Sequence, residues 1–479
     1  YETQYVVPVG GAGQPVRVTV PYAVINANAG QVIHLKYKVA RSAGGPEEES
    51  PVNPYNVNRE IGSGPLLVMG ARFNASTYRA SSAPRMLSAF HRTTLQPMLA
   101  EWRYEDSQVW TAKPRWFDNK PWLKLYVRTS SDAVLLNPAN IIGNGVDTTA
   151  NGAAAFIAMR DEVTVGTEKE VDMVGWGNAA HGGALDPTII TIRDIVEVSC
   201  TSNAYAARRR NGSVVCWGTA GGGGTMPPGE SGDYVQVRSN SGAFVGQKRD
   251  GRLITWGTAG SGVPVPPEVE LHKDYVELYG AGMAFAARRA TGHVVAWGNA
   301  AHGGVLLPGQ GDMSDIVQVI GSYGAFAALR DGGGSQSVIA WGSPTYGGAA
   351  PPEIAQLTNV KALGAATAQA FSILLATNAV RGWGAASHGG TVPETIQSMT
   401  NVVEVSSTWH AFCARLSNGS VVAWGNPTNG GAVPEPIARL SNIVQVVGSS
   451  WSFAALCRDG KVVAWGVPAT GGDISAVAG

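Results

Sequence analysis

Eight Trp-Gly pairs recur along the C-terminal two-thirds of the chain. They begin at Trp176, Trp217, Trp256, Trp297, Trp341, Trp383, Trp424 and Trp465, at intervals of 41, 39, 41, 44, 42, 41 and 41 residues. A period near 40 residues is the signature of propellers, solenoids and arrays. Residues 440–466 show the unit best, with short apolar runs at 440–446, 453–457 and 461–465. The second and third runs are joined by Asp459-Gly460, and Asn211-Gly212, Asp250-Gly251, Asp331-Gly332 and Asn418-Gly419 hold that place in other copies. Asn-Gly and Asp-Gly between apolar runs are the strongest short-range hairpin signal. A Gly- and Pro-rich loop follows each copy, as at 426–434.

Three strands cannot bury both of their faces alone. Stacking such sheets around an axis does so and hides most strand edges, which is the propeller. A Leu-rich horseshoe has a shorter period, and helical repeats would show 3.6-residue patterning. The sequence therefore predicts an all-β chain with a propeller of eight three-stranded blades over residues 136–479. Seven blades plus an odd N-terminal unit is the alternative, because the first copy is ragged and carries a long hairpin near Glu162–Val171.

The N-terminal third reads differently. Residues 1–41 alternate polar and apolar at Val16–Val20 and Val32–Val39 around Asn28-Ala29-Gly30, predicting a β-sandwich-like segment. Residues 42–65, with Glu47-Glu48-Glu49 and several prolines, read as a linker or long loop. Residues 66–135 hold Trp102, Trp110, Trp116 and Trp122 among short apolar runs, predicting a Trp-rich β-module.

Composition narrows the function. Lys plus Arg and Asp plus Glu are equal at 35 each, so no net basic surface exists to neutralise phosphates, and a nucleic-acid partner is not expected. The 62 glycines and 27 prolines fit many tight turns, and a 44% hydrophobic content argues against disorder. No apolar run is long enough to span a membrane. The chain opens on Tyr1 without a signal peptide, which suggests a processed protein or a piece of a larger one. Cys200, Cys216, Cys413 and Cys457 lack CxxC or metal-type spacing; a Cys200–Cys216 bridge is left open.

The strings FAALCRDGKVVAWG and HAFCARLSNGSVVAWG, at 453–466 and 410–425 with their neighbours, resemble repeats of the regulator of chromosome condensation family. His410-Ala411-Phe412-Cys413-Ala414 resembles that family's signature with Ser407 in the Gly slot, and Gly448 to Phe453 does so with Trp451 replacing the His. The short period is closer to the bacterial branch typified by β-lactamase inhibitory protein II, whose blades are three-stranded. The resemblance spans about 340 of the 479 residues and implies a propeller. Two departures limit it. Eight copies exceed the usual seven, and the signature His slot is filled by Ala154, Asn203, Gly242, Met283, Gly324, Gln369, His410 and Trp451 in turn. A nucleotide-exchange role would be analogy from fold alone. The N-terminal part resembles modules of large bacterial surface proteins.

Against the regular frame, candidate site residues are departures. The Trp-Gly tryptophans read as core, packed between neighbouring sheets with Gly permitting the turn. Five residues after each Trp, a loop tip is occupied by His181, Gly222, Ser261, His302, Tyr346, His388, Asn429 and Thr470. Variable loops on a fixed frame are how repeat folds build binding surfaces. His181, His302 and His388 invite a metal reading, but they belong to non-adjacent copies, so local hydrogen bonding is expected and no metal or cofactor is. The loop before each Phe strand carries Tyr323, Trp409, His410 and Trp451, an aromatic set suited to a protein hot spot or a sugar-stacking platform, or to filling the channel mouth.

Three other features read blandly. Gly221–Gly224 lacks the Lys and helix of a phosphate loop and is expected to be a flexible tip. Arg208-Arg209-Arg210 is expected to be a solvated edge that discourages pairing. No GxSxG, HExxH or linked Ser–His–Asp arrangement suggests catalysis. The favoured function is non-catalytic recognition of a protein partner through Tyr323, Trp409, His410, Trp451, His181, His302, Tyr346 and His388, in a bacterial extracellular or cell-surface protein. A lectin-like glycan-binding propeller and an enzyme with its site on one face are the alternatives.

Overall fold

The structure, a computed structural model, describes residues 32–35, 38–40, 47–49, 53–56, 64–69, 86–94, 96–118, 123–136, 141–143, 155–159, 163–165, 168–171, 173–458 and 461–474. Eight three-stranded antiparallel sheets follow one another along the repeat, spanning 141–177, 195–218, 234–257, 275–298, 316–342, 360–384, 402–425 and 443–466. We number them first to eighth in chain order. The opening strand of each lies against the opening strand of the next, the propeller arrangement that the period predicts.

The repeat's aromatic residues explain why each sheet forms. In every sheet the Trp of the Trp-Gly pair sits directly across from an aromatic residue of the middle strand. Phe412 faces Trp424 and Phe453 faces Trp465, for example. Such cross-strand aromatic pairs are among the most stabilising in a sheet. The Gly after each Trp has positive φ, from +96° at Gly177 to +122° at Gly257, so the chain turns off the sheet without a Cβ penalty. After six of the eight sheets it enters a one-turn 3₁₀ segment, and Asn178, Asn299 and Asn426 cap the turns that they open with their side chains.

Seven sheet-to-sheet interfaces repeat one pattern. The Trp Nε1 of a later sheet donates to the carbonyl of a positive-φ glycine in the turn that follows the preceding sheet. Trp217 reaches Gly182, Trp341 reaches Gly303 and Trp383 reaches Gly347, at 3.0, 3.0 and 2.8 Å. Trp256, Trp297, Trp424 and Trp465 do the same with Gly223, Gly262, Gly389 and Gly430. Seven apolar clusters fill these interfaces, each joining the Ala/Val face of one sheet to the Phe/Trp face of the next. Seven of the eight tryptophans are core, as expected. Trp176 is not: it stacks on Phe156 but stays 44% exposed.

Several expectations need correcting. The first sheet interposes the hairpin 163–165/168–170 that the raggedness suggested. The stretch read as a linker at 42–65 contains strands Glu47–Glu49 and Asn53–Asn56, paired with Lys38–Ala40 and Val32–Leu35. Val32–Val39 is thus two strands, not one. Val16–Val20, the Asn28 turn and Trp122 lie outside the described residues. Residues 66–136 form a three-stranded and a four-stranded sheet, with Trp102 stacked on Trp116 at 6.0 Å between ring centres. Leu136 closes the four-stranded sheet, so the repeat begins after it, at Ile141.

One-turn helices, such as Pro187–Ile190 and Glu394–Gln397, sit between successive sheets and bury a single Ile or Val each. Four residues are too few to show a helical period. Gly221–Gly224 is not a loose tip but the same 3₁₀ turn, closed by Gly223 at φ +100°. The arginine triplet is no solvated edge either. Arg208 pairs with buried Glu197 at 2.8 Å and Arg209 with Asp194 at 2.7 Å, and only Arg210 is exposed. All four cysteines are free.

Charge is buried where strands face one another. Glu277–Arg288 and Glu404–Arg415 repeat the Glu197–Arg208 cross-strand pair. The last of these meets the N-terminal part of the chain. Phe90 packs on Val403, with the Arg415 guanidinium 5.5 Å from its ring centre. Burial there lowers the Arg115 pKa to about 10 despite the nearby Glu404 carboxylate.

Candidate functional site

Two sets of loops share one end of the sheets. The first joins the opening strand to the middle strand; the second is the 3₁₀ turn after Trp-Gly. A polar side chain in the first loop clamps the second. Thr201, Thr367 and Thr408 donate to the carbonyls of Gly222, His388 and Asn429 at 2.9, 2.9 and 3.0 Å. Ser322 and Ser449 do likewise to Tyr346 and Thr470, and Asn240 Nδ2 to Ser261. The clamp fixes the backbone of six of the eight tips and lets the side chain there vary.

The first loops are tied to one another as well. The N–H of Ser202 donates to Ser241, Ser241 to Gly282, Gly282 to Tyr323, Tyr323 to Ala368, Ala368 to Trp409 and Trp409 to Ser450, at 2.7–3.1 Å. Six backbone bonds thus run from sheet to sheet through one equivalent position. Its residues are Ser, Ser, Gly, Tyr, Ala, Trp and Ser. Five are small and two are large rings. Tyr323 and Trp409 are therefore the departures at a position whose backbone is already fixed.

Around those two rings the structure gathers most of the candidate residues. Tyr323 lies 5.3 Å from His302, 5.7 Å from Tyr346 and 6.5 Å from Trp409, between ring centres. Trp409 lies 6.4 Å from His410, which is 4.4 Å from His388. His302, Tyr323, Tyr346, Trp409, His410 and His388 thus form one continuous band of rings across the fourth to seventh sheets. All six are half-buried. Such rings bring large area with little conformational entropy to lose on binding.

Burial disfavours the protonated form of two of the three imidazoles. Burial and the adjoining His410 lower the His388 pKa to about 4, and burial lowers that of His302. Ser387 Oγ lies 2.9 Å from His388 Nδ1, and Asn429 Nδ2 lies 3.4 Å from His410 Nδ1. His302 Nδ1 is buried and has no hydrogen-bond partner among the described residues. Among the described residues, no three His, Cys, Asp or Glu side chains gather as a metal site.

Two candidates fall outside the band. His181 belongs to the turn after the first sheet, three sheets before His302. Trp451 occupies in the eighth sheet the slot that His410 fills in the seventh; it makes no ring contact with the six, and its Nε1 is buried without a partner among the described residues. Asn429, beside His410, is a member of the site that the aromatic pattern did not single out. Its place in the tip series was the available signal.

No family model matches the chain and no curated relative does. Solved structures share a likeness at low identity. Prp20p from Saccharomyces cerevisiae is 17% identical with a TM-score of 0.37, covering 68% of this chain and 80% of that one. The ectodomain of the receptor kinase ACR4 from Arabidopsis thaliana is 13% identical at a TM-score of 0.36, covering 69% and 97%. Human WBSCR16 is 12% identical at 0.37, covering 73% and 96%. The propeller assignment rests on the sheets and interfaces described above.

Proposed function

We propose that the chain is a non-catalytic recognition protein that binds a protein partner through the band of rings on its loop face. One observation carries this reading: two large rings occupy a backbone-locked position that is otherwise small, and four further loop side chains close around them. Packing of the frame does not require them, because Ser202, Ser241, Gly282, Ala368 and Ser450 hold the same position in other sheets. Half-buried Trp and Tyr on fixed backbone are the composition of interface hot spots. The absence of a carboxylate from the six residues of the band favours an apolar or hydrogen-bonding anchor on the partner over a cationic one.

The family resemblance of the repeats, the bacterial surface setting and a kinship with the three-stranded inhibitor branch belong to the same reading. The test is capture of a partner by immobilised full-length protein, with Trp409→Ala and Tyr323→Ala compared against Trp451→Ala. Loss of ~30-fold in affinity, equivalent to ~2 kcal/mol for a hot-spot ring, is expected for the first two and little change for the third. Equal retention by all four proteins would end the reading. Saturable, sugar-competed binding on a glycan array, abolished by Trp409→Ala, would replace the protein partner with a glycan.

A further inference from the structure

A column of valines runs across the opening strands, and one member breaks it. The second residue of that strand is Val196, Val235, Val276, Val317, Lys361, Val403 and Val444 in the second to eighth sheets. In all seven it is the extra residue of a β-bulge, which re-aims its side chain. Lys361 is the one charged member, and its neighbour Val403 is where the N-terminal part of the chain packs. Strand register shows what that part presents. Leu67 lies across from Phe90, and Ser88 across from Arg115. Cross-strand partners and residues two apart share a face, so these four lie on one face of their three-stranded sheet. Leu66, Leu87 and Ala89 on the other face belong to the N-terminal module's own core. The first face meets the seventh sheet through Leu67 and Phe90 on Val403, which brings Arg115 to the Glu404–Arg415 pair and to Lys361.

The charges at this seam do not balance. Arg115, Lys361 and Arg415 stand against one carboxylate, Glu404. Arg415 Nε donates to Glu404 Oε2 at 3.1 Å, and Lys361 Nζ donates to Asn378 Oδ1 at 2.7 Å. Arg415 Nη1 and Nη2 are buried and have no hydrogen-bond partner among the described residues. The matching Arg208 and Arg288 keep 12% and 21% of their side chains in solvent, whereas Arg415 keeps 1%. A buried guanidinium whose outer N–H groups are unpaired is strongly unfavourable, and such a group calls for a partner. The neighbouring cations feel the same crowding. Burial, then the charge of Arg115, lowers the Lys361 pKa to about 8.

We propose that Arg115, Lys361 and Arg415 form a binding site for a small tetrahedral oxyanion of the sulfate or phosphate class, at the seam between the N-terminal part and the sixth and seventh sheets. Three cations less one carboxylate leave two positive charges, which one doubly charged oxyanion neutralises. Guanidinium forks match the edges of such an anion, and the ammonium of Lys361 adds a point charge. Arg115 and Lys361 are both partly exposed and offer the way in, with Arg415 behind them. The site is separate from the band of rings: Lys361 lies at the start of an opening strand, whereas the band's loops follow that strand's far end. A bound anion ties the N-terminal part to the propeller, because its ligands come from both.

The test is titration calorimetry of the full chain with inorganic sulfate, and separately with inorganic phosphate, at constant ionic strength, beside thermal melts in the same solutions and in chloride. Lys361→Val installs the residue that the column carries in every other sheet, and Arg115→Gln removes the charge from the opposite side of the seam. Cooperative melting in chloride confirms that each variant folds. Wild type is expected to bind one anion saturably and to melt higher in its presence, as a ligand of the native state requires. Each variant is expected to bind roughly tenfold more weakly or worse and to lose that rise. Heats and melting shifts that are the same in all three proteins would overturn the proposal, because they would report only a general effect of salt. A wild type that binds neither anion saturably would overturn it too.

Discussion

At the scale of single residues, the same ring chemistry serves two purposes, and surroundings separate them. Trp424 lies fully inside an interface, stacked 5.2 Å from Phe412 and bonded to Gly389. Trp409 lies two residues before the strand that carries Phe412 and is half-buried among loop rings. His388 supplies a titratable mark of the site. Its pKa is lowered to about 4, below its ordinary 6.5, by burial and then by His410. The native state therefore refuses a proton that the unfolded chain accepts, and stability falls as pH drops from 6.5 to about 4, then levels. Replacing His388 with Asn is expected to flatten part of that decline. Thermal melts between pH 7 and 4 that superimpose for both proteins would show that His388 does not carry it.

At the scale of elements, the closing glycines decide whether sheets can meet. Gly389 has φ +84°, and an added Cβ would sit 2.6 Å from Phe412 Cδ2. Gly389→Ala must pay ~1–2 kcal/mol for the left-handed backbone and more for the clash. Gly471→Ala carries the backbone cost alone, since among the described residues nothing lies within 4 Å of an added Cβ. Urea unfolding is expected to rank Gly389→Ala as clearly the more damaging; equal losses would contradict the interface description. These elements were largely legible in the sequence. The Trp period located every third strand, and the Asn-Gly and Asp-Gly turns located the hairpins. The one-turn helices were not legible, because four residues cannot show a period. Nor were the buried Glu–Arg pairs, since Glu197 and Arg208 are separated by a loop and look like ordinary surface charges until the strands are paired.

At the scale of the whole molecule, a regular frame carries an irregular face. The frame's period made equivalent positions comparable, which is why Tyr323, Tyr346, Trp409, His410, His302 and His388 could be picked out by residue number. Their convergence could not. It depends on the clamp between the two loop sets and on the backbone bonds that carry one sheet's loop onto the next, both of them tertiary. His181 and Trp451 belong to the same series in the sequence, but to sheets that contribute nothing to the band.

The central claim is that the band binds and the frame only supports it. Partner affinity and melting temperature measured together on Trp409→Ala and Trp424→Ala test this most directly. Trp409→Ala is expected to lose ~30-fold in affinity with stability within ~1 kcal/mol of wild type. Trp424→Ala is expected to lose ~3–5 kcal/mol of stability, as for a large core truncation, while the fraction still folded keeps its affinity. Full partner binding by a folded Trp409→Ala protein would contradict the claim.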